Sequence, residues 1–373
     1  MEGNNGFDAS AEMHEKSPIT LSETCVVGSV FFKDYQVEGS EGNIRGRQSI
    51  ESLAKAAEKG CKAAIIIAPD TDPKFVLDLK EKIVDLGDKG ENIVWQTQSK
   101  DGYSSARREA ILLARSKYPE SRAFIMQEIE KDLSGNYENF VTALSGDKAL
   151  VMMNRGINGP YSENPWPDNQ HIGANLPKAQ FYVERSLNVR MAIQEESFGV
   201  SDKNNKNHFW DRLNGTRIVR NEKIKVGDSE INPADLMLLT YTYIDGYYGK
   251  DQKNHIDDYS AAVYNMIPLL EALGAEDKMS EVPVKYVHPE AQRLQEEADP
   301  RFKEKRLNHK KDLLRINFDM VLNIRDWKEK GVWPRVLLEA VNGGKNLEIK
   351  HYDENEYFYG YKDYRFSRVI VLK

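Results

Sequence analysis

Cysteine is scarce in this chain, with Cys25 and Cys61 the only two in 373 residues. A single pair in strand-like or strand-edge contexts excludes a disulfide framework and a cysteine-built zinc site. The two read as small buried hydrophobes of a protein kept in a reducing compartment. Long apolar runs are missing as well. The longest, Ala63 to Ala68, has six residues, whereas a membrane helix needs about 20. The N-terminal stretch is polar and acidic with no apolar h-region, so the expectation is a cytoplasmic chain without a secretory signal. Basic excess is lacking too. A net charge of -7 argues against a general nucleic-acid binder, whose phosphate contacts demand a basic surface. No Walker sequence and no Gly-x-Gly-x-x-Gly after a strand is present, which disfavours kinases, P-loop NTPases and classical dehydrogenases. A Gly-x-Ser-x-Gly elbow is absent, which disfavours α/β-hydrolases.

What the chain does contain is a globular composition, 40% hydrophobic and 30% charged, enough for a sizeable core. At roughly 150 residues per domain it holds two or so domains, or one large α/β domain with additions. From Thr24 strands and helices alternate. The run Thr24–Phe32 reads as a buried strand. Asn43 to Gly60 reads as a helix with Ile50, Leu53, Ala54 and Ala57 on one face and Gly60 as its stop. Lys62 to Ala68, Asn92 to Gln96 and Arg122 to Glu130 read as three more strands. Helices around Phe75–Leu86 and Ser104–Tyr118 separate them. This alternation predicts an α/β fold with a mostly parallel sheet and helices on both faces. Such sheets bind ligands outside the carboxyl ends of their strands. The positions of interest are therefore Lys33–Tyr35, Pro69–Asp72, Thr97–Lys100 and Glu128–Asp132. Gly156 to Pro177 reads as a long loop and Leu176 to Glu196 as a helix. A more helical half runs from Pro233 to Leu314, and Gln295 to Lys311 reads as a charged, solvated helix face. A small β element with many tyrosines, ending in Val369–Leu372, closes the chain.

The strand ends supply chemistry-bearing residues. Strand alternation puts Glu128 and Glu130 on one face and Ile129 on the other. Two adjacent carboxylates are tolerable when a divalent cation or a basic group lies between them. Otherwise the pair is an ordinary solvated strand end. Arg107 and Arg108 open a helix and offer planar forks for phosphate oxygens, or a solvated helix face. Asp70 can accept hydrogen bonds from a base or ribose. Asp72 reads as the cap of the helix that Pro73 begins.

Taken in order, these segments resemble nucleotide-sugar glycosyltransferases of the GT-A fold, in the broad family-2-like group. Arg45 to Thr71 is similar to their first helix and second strand, and Gly102 to Arg108 to the segment before their metal-motif strand. Glu128-Ile129-Glu130-Lys131-Asp132 stands where that fold carries Asp-x-Asp, and is similar to a Glu-Pro-Glu-Lys variant of a little-characterised subgroup. Ala149 to Arg155 resembles the next strand and its basic end. Trp166-Pro167, Gln180, Glu184 and Asn188 fit one spaced pattern of the subgroup. Val282 to Pro289, with Gln292, Phe302, Lys305 and Arg306, fits another. The likeness spans about residues 24 to 315. Asp-x-Asp itself is absent, Ile129 stands where the subgroup has proline, and strand one lacks the Pro-x-x-Asn-Glu usual in the group.

The resemblance implies a cytoplasmic hexosyltransferase-like enzyme that moves a sugar from a nucleoside diphosphate donor to a hydroxyl acceptor. It implies small-molecule partners and no nucleic acid. In that frame Asp70 holds the nucleoside, while Arg107 and Arg155 face the diphosphate. Glu128 and Glu130 hold Mg²⁺ or Mn²⁺, with His288 as a further ligand. The stretch from His208 to Arg217, with Trp210, Asp211 and Arg212, suits an acceptor pocket, or else a packed Trp210 beside a surface ion pair. Asp258 is a candidate general base, or a helix-start acid that favours the dipole. The division expected is a disordered tail over 1–23, a donor-binding half over 24–155, an acceptor-side half over 156–315 and an extension over 316–373. Two alternatives stand beside the transferase: a binding or scaffold protein on a degenerate transferase fold, and a nucleotidyltransferase.

Overall fold

A computed structural model describes residues 17–100, 102–154, 178–201, 216–248, 261–284, 300–343, 347–351 and 368–372, with positions 210, 212 and 298. The first half alternates as its periodicity predicts. The elements are β1 (Thr24–Val30), α1 (Glu41–Glu58), β2 (Lys62–Ile67), α2 (Pro73–Asp85), β3 (Ile93–Thr97), α3 (Tyr103–Lys117) and β4 (Ala123–Met126). Then come α4 (Tyr137–Ala143), β5 (Leu150–Asn154), α5 (Lys178–Ser197), β6 (Arg217–Arg220), the hairpin β7 (Ile224–Val226) and β8 (Ser229–Ile231), α6 (Pro233–Tyr248) and α7 (Ala261–Ala272). The chain continues through β9 (Met279–Pro283), α8 (Pro300–Glu329) and α9 (Arg335–Gly343), and the antiparallel pair β10 (Leu347–His351) and β11 (Arg368–Leu372).

Local chemistry sets the helix ends. Ser40 caps α1 by accepting the Asn43 N–H at 3.0 Å, and Gly60, with φ +87°, follows its end. Asp72 caps α2 by accepting the Lys74 N–H at 2.9 Å, with Pro73 in the first turn where its missing N–H is harmless.

Seven strands form one sheet in the order β3-β2-β1-β4-β6-β5-β9. All run parallel except β6, which is antiparallel to both β4 and β5. Helices cover both faces, so the strands are buried on both sides and read as continuous apolar runs. Period-two alternation splits β1 between two cores. Cys25 and Val27 join α3, α5, α6, α7 and α8 on one face. Val26 and Val30 join α1, α2 and α4 on the other.

Three findings differ from the expectation. The fourth strand stops at Met126, so Glu128 and Glu130 lie beyond it. Residues 17–23, expected in a tail, are anchored: Ile19 is buried and Arg122 donates to the Ser17 carbonyl at 3.0 Å. β6 was not legible as a strand, because Arg217-Ile218-Val219-Arg220 is half arginine. Both arginines are nonetheless buried. Arg220 donates to the carbonyls of Leu144, Lys148 and Gly146, the last two at 2.7 and 2.8 Å. Among the described residues, no helix is long and apolar enough to cross a membrane.

Cys25 and Cys61 are free and fully enclosed. Burial pushes the Cys61 thiol up to about 12 and the Cys25 thiol well above its usual value. Since the thiolate is the nucleophile, neither should react with a thiol reagent at pH 8 in the native protein, and both should react in denaturant. Rapid native labelling of either would contradict this packing.

Candidate functional site at the sheet's switch point

The chain steps from β1 outward to β2 and β3, then returns to place β4 on the other side of β1. Strand order therefore reverses between β1 and β4. In α/β sheets the crevice outside the carboxyl ends at such a reversal is the ligand site. Here that crevice lies between the loop after β1, residues 31–40, and the turn after β4, residues 127–131.

The turn is built from buried groups. The Gln127 N–H continues the ladder to the Val27 carbonyl at 3.2 Å. The Gln127 side chain is fully enclosed. Its amide donates to Ser52 Oγ and to the Lys131 carbonyl, both at 3.2 Å, and its oxygen accepts the Tyr137 hydroxyl at 2.9 Å. The Lys131 N–H closes the turn on the Glu128 carbonyl at 2.9 Å. Ile129 is buried and lies over Gly28 of β1. A Cβ at position 28 would stand 2.6 Å from Ile129 Cδ1 and 2.7 Å from the Gln127 carbonyl oxygen, which leaves room for glycine alone.

This geometry corrects the expected strand alternation. Glu128 and Glu130 belong to a turn, and each already faces a cation of the chain. Glu130 Oε1 accepts from Arg45 Nη2 of α1 at 2.5 Å, with the Glu130 side chain 13% exposed. Arg45 also holds Glu41 at 2.9 Å and lies against the Phe32 ring, 6.0 Å from its centroid. Burial alone would lower the Arg45 guanidinium's affinity for its proton, but Glu130 and Glu41 hold it above the ordinary arginine value. Glu128 pairs with Lys131 across the turn. Next along, Asp132 takes Lys55 of α1 at 2.6 Å and caps Ser134, whose hydroxyl and N–H donate at 2.6 and 3.1 Å. Pairs this exposed contribute about 0.2–1 kcal/mol each, because solvent screens them.

The other edge loops are fixed by carboxylates in the same way. Asp72 Oδ2 accepts the Gln36 N–H at 2.9 Å. Glu109 of α3, itself buried, accepts the Ser99 N–H and hydroxyl at 2.8 and 2.7 Å and the Lys100 N–H at 3.1 Å. Phe31, Val37 and Ile44 are exposed at this edge, an apolar rim beside the charged groups.

The residues named from sequence fall unevenly around this site. Asp70 stands at the edge after β2, its side chain 72% exposed and 3.4 Å from the Lys33 ammonium. Asp72 is a cap, as expected. Arg107 sits in the second turn of α3 and is only 1% exposed. Arg108 is half-buried, so neither arginine lies on a solvated face. Arg155, Asp211, Asp258 and His288 lie outside the described residues. Around the expected acceptor pocket, Trp210 is packed and donates to Glu271 Oε1 at 3.2 Å. The ion pair beside it is buried rather than on the surface: Arg212 makes a two-pronged bond to Glu195, with both side chains 1% exposed. Burial and the neighbouring Glu195 push the Glu271 carboxyl well above the usual range. Arg217 opens β6 opposite Met126 and Met152, and donates to the Arg212 carbonyl at 2.9 Å.

Sequence reasoning missed Arg45, Gln127 and Tyr137 as parts of the site. The one signal for Arg45 was its spacing four residues after Glu41 on a helix that begins at the carboxyl edge. Of the metal ligand set read from sequence, His288 lies outside the described residues, which leaves Glu128 and Glu130. These two glutamates are each paired with a cation, and no group of three or more His, Cys, Asp or Glu among the described residues is placed to hold a metal ion. No protein-family model, curated protein or solved structure matches the chain.

Two outcomes follow from the turn. Gly28→Ala should destabilise the protein by about 1–3 kcal/mol through overpacking against backbone and Ile129, read as a lower urea midpoint. An unchanged midpoint would contradict the close approach. Burial opposes ionisation of Asp132, but Lys55 and Ser134 prevail and hold its carboxyl below the ordinary value. Its contribution to stability is therefore present above the usual aspartate range and is lost as pH falls through the lowered value. Asp132→Asn should remove that part of the acid dependence in pH-resolved unfolding. An unaltered acid limb would count against the pairing.

Proposed function

We propose that the chain is a glycosyltransferase with a GT-A-like fold, which moves a sugar from a nucleoside diphosphate donor to a hydroxyl acceptor. The observation that carries this reading is the reversal of strand order at β1 and β4, with Arg45, Asp70 and the Glu128–Asp132 turn, all from segments that resemble the family, near that carboxyl edge. The mixed sheet, parallel but for β6, supports it further. Asp70, exposed after β2, is suited to hydrogen-bond a ribose or base. Phe31, Val37 and Ile44 are exposed apolar residues of the segments that follow β1. Arg155 is proposed for the diphosphate, and Arg107 as an enclosed charge under the same edge. Asp211 and Asp258 are proposed on the acceptor side. In the reaction the acceptor hydroxyl bonds to the anomeric carbon as the bond to the diphosphate oxygen breaks. A carboxylate takes the hydroxyl proton, and fixed cations stabilise charge on the leaving diphosphate. No step of this reading runs through a metal ion.

A second reading, a binding or scaffold protein on this fold, is favoured by one observation. Both glutamates of the turn are already engaged by Arg45 and Lys131. A thermal-shift series with UDP-, GDP- and ADP-sugars separates the two. A ligand that binds the native state at a hundredfold excess over Kd adds about 2.7 kcal/mol of stability. The transferase reading expects one nucleotide class to raise Tm and Asp70→Ala to cut that rise. No shift with any donor would favour the scaffold.

A further inference from the structure

Both carboxylates of the 127–131 turn are neutralised from within the chain. Glu130 is held by Arg45, which approaches from α1 at 2.5 Å. Glu128 is held by Lys131 of its own turn. The arrangement is not a loose surface pairing. Arg45 is itself braced by Glu41 and by the Phe32 ring. The backbone that carries Lys131 is pinned by the buried Gln127 amide. Lys55 and Asp132 form a third pair on the same side of α1.

A divalent cation such as Mg²⁺ draws carboxylate oxygens in to about 2.0–2.1 Å. To serve it, Glu128 and Glu130 would have to give up Lys131 and Arg45, and two basic groups would then crowd a dication. The same two basic groups are suited to an anion instead. Arginine matches phosphate oxygens with a planar fork, and lysine meets them as a point charge.

We infer that Arg45 and Lys131 take the place of a divalent cation at this switch point, so that the site accepts a diphosphate group without metal. The inference rests on the transferase reading for its ligand class, but its charge argument concerns this chain's own side chains. Arg45 would act as the diphosphate-binding residue, with Glu130 positioning it. The guanidinium keeps Glu130 through Nη2 and offers its remaining N–H donors to phosphate oxygens, with no covalent bond formed.

The experiment uses the full chain in two independent arms. In the first, Mn²⁺ alone is titrated and followed by calorimetry and by the spin resonance of free Mn²⁺. The expected result is no tight site in the unaltered protein, and Mn²⁺ uptake gained in the double variant Arg45→Gln with Lys131→Gln, where the carboxylates are released. A tight Mn²⁺ site in the unaltered protein that Glu130→Gln abolishes would overturn the inference. In the second arm, UDP, GDP and ADP are tested by thermal shift in EDTA and in Mn²⁺. The expected shift is equal in both, and binding weakens about tenfold in Arg45→Gln, as for loss of a charge-assisted hydrogen bond. Arg45→Lys should restore part of it. A shift that requires Mn²⁺ would overturn the inference. No shift with any nucleotide would sink the transferase reading, and the Mn²⁺ arm would still decide whether the carboxylates are closed to metal.

Discussion

Gly28 has no side chain, and Ile129 uses the room. That contact lets the chain leaving β4 fold back across β1 and bring the Gln127 carbonyl within van der Waals reach of its backbone. The turn after β4, at the strand-order reversal, depends on it. With Ile129 seated, Gln127 can reach Ser52, Lys131 and Tyr137 together. The turn then presents Glu128 and Glu130 outward to Lys131 and to Arg45 on α1. A methyl group on β1 would push the turn away and unlink α1 from β4.

The electrostatics of the edge follow from that placement. Helices α1 and α3 begin at the carboxyl edge, and their early residues meet loop carboxylates or loop backbone. Arg45 takes Glu130, and Glu109 takes three donors from the loop after β3. These bonds do more for position than for net stability, because half-exposed pairs are screened. Their effect is to fix the edge before any ligand arrives. A preorganised set of cations loses little conformational entropy on meeting an anion.

The first half of the fold was legible because its signals are local. Apolar runs such as Ala63–Ile67 and helix faces such as Ile50, Leu53 and Ala57 carry their period in the sequence, and Asp72 before Pro73 announces a cap. The site was legible only as a region. The sequence placed two glutamates at a strand end, but the strand stops at Met126, and alternation does not extend into a turn. Their partners were hidden because Arg45 lies 85 residues from Glu130 in the chain, and no local pattern encodes that pairing. β6 was hidden for a related reason. Its flanking arginines look solvated until the carbonyls that receive them, from residues 144–148 and 212, are brought close by the tertiary fold.

The central claim is that ligand binding is seated at the β1–β4 reversal. Amide hydrogen exchange of the full chain, with and without a saturating nucleoside diphosphate, addresses it directly. Protection should rise in residues 31–45 and 127–136, which border the crevice, and stay level in β5, β9 and the hairpin β7–β8. Protection that rises elsewhere while those two segments are unchanged would contradict the account.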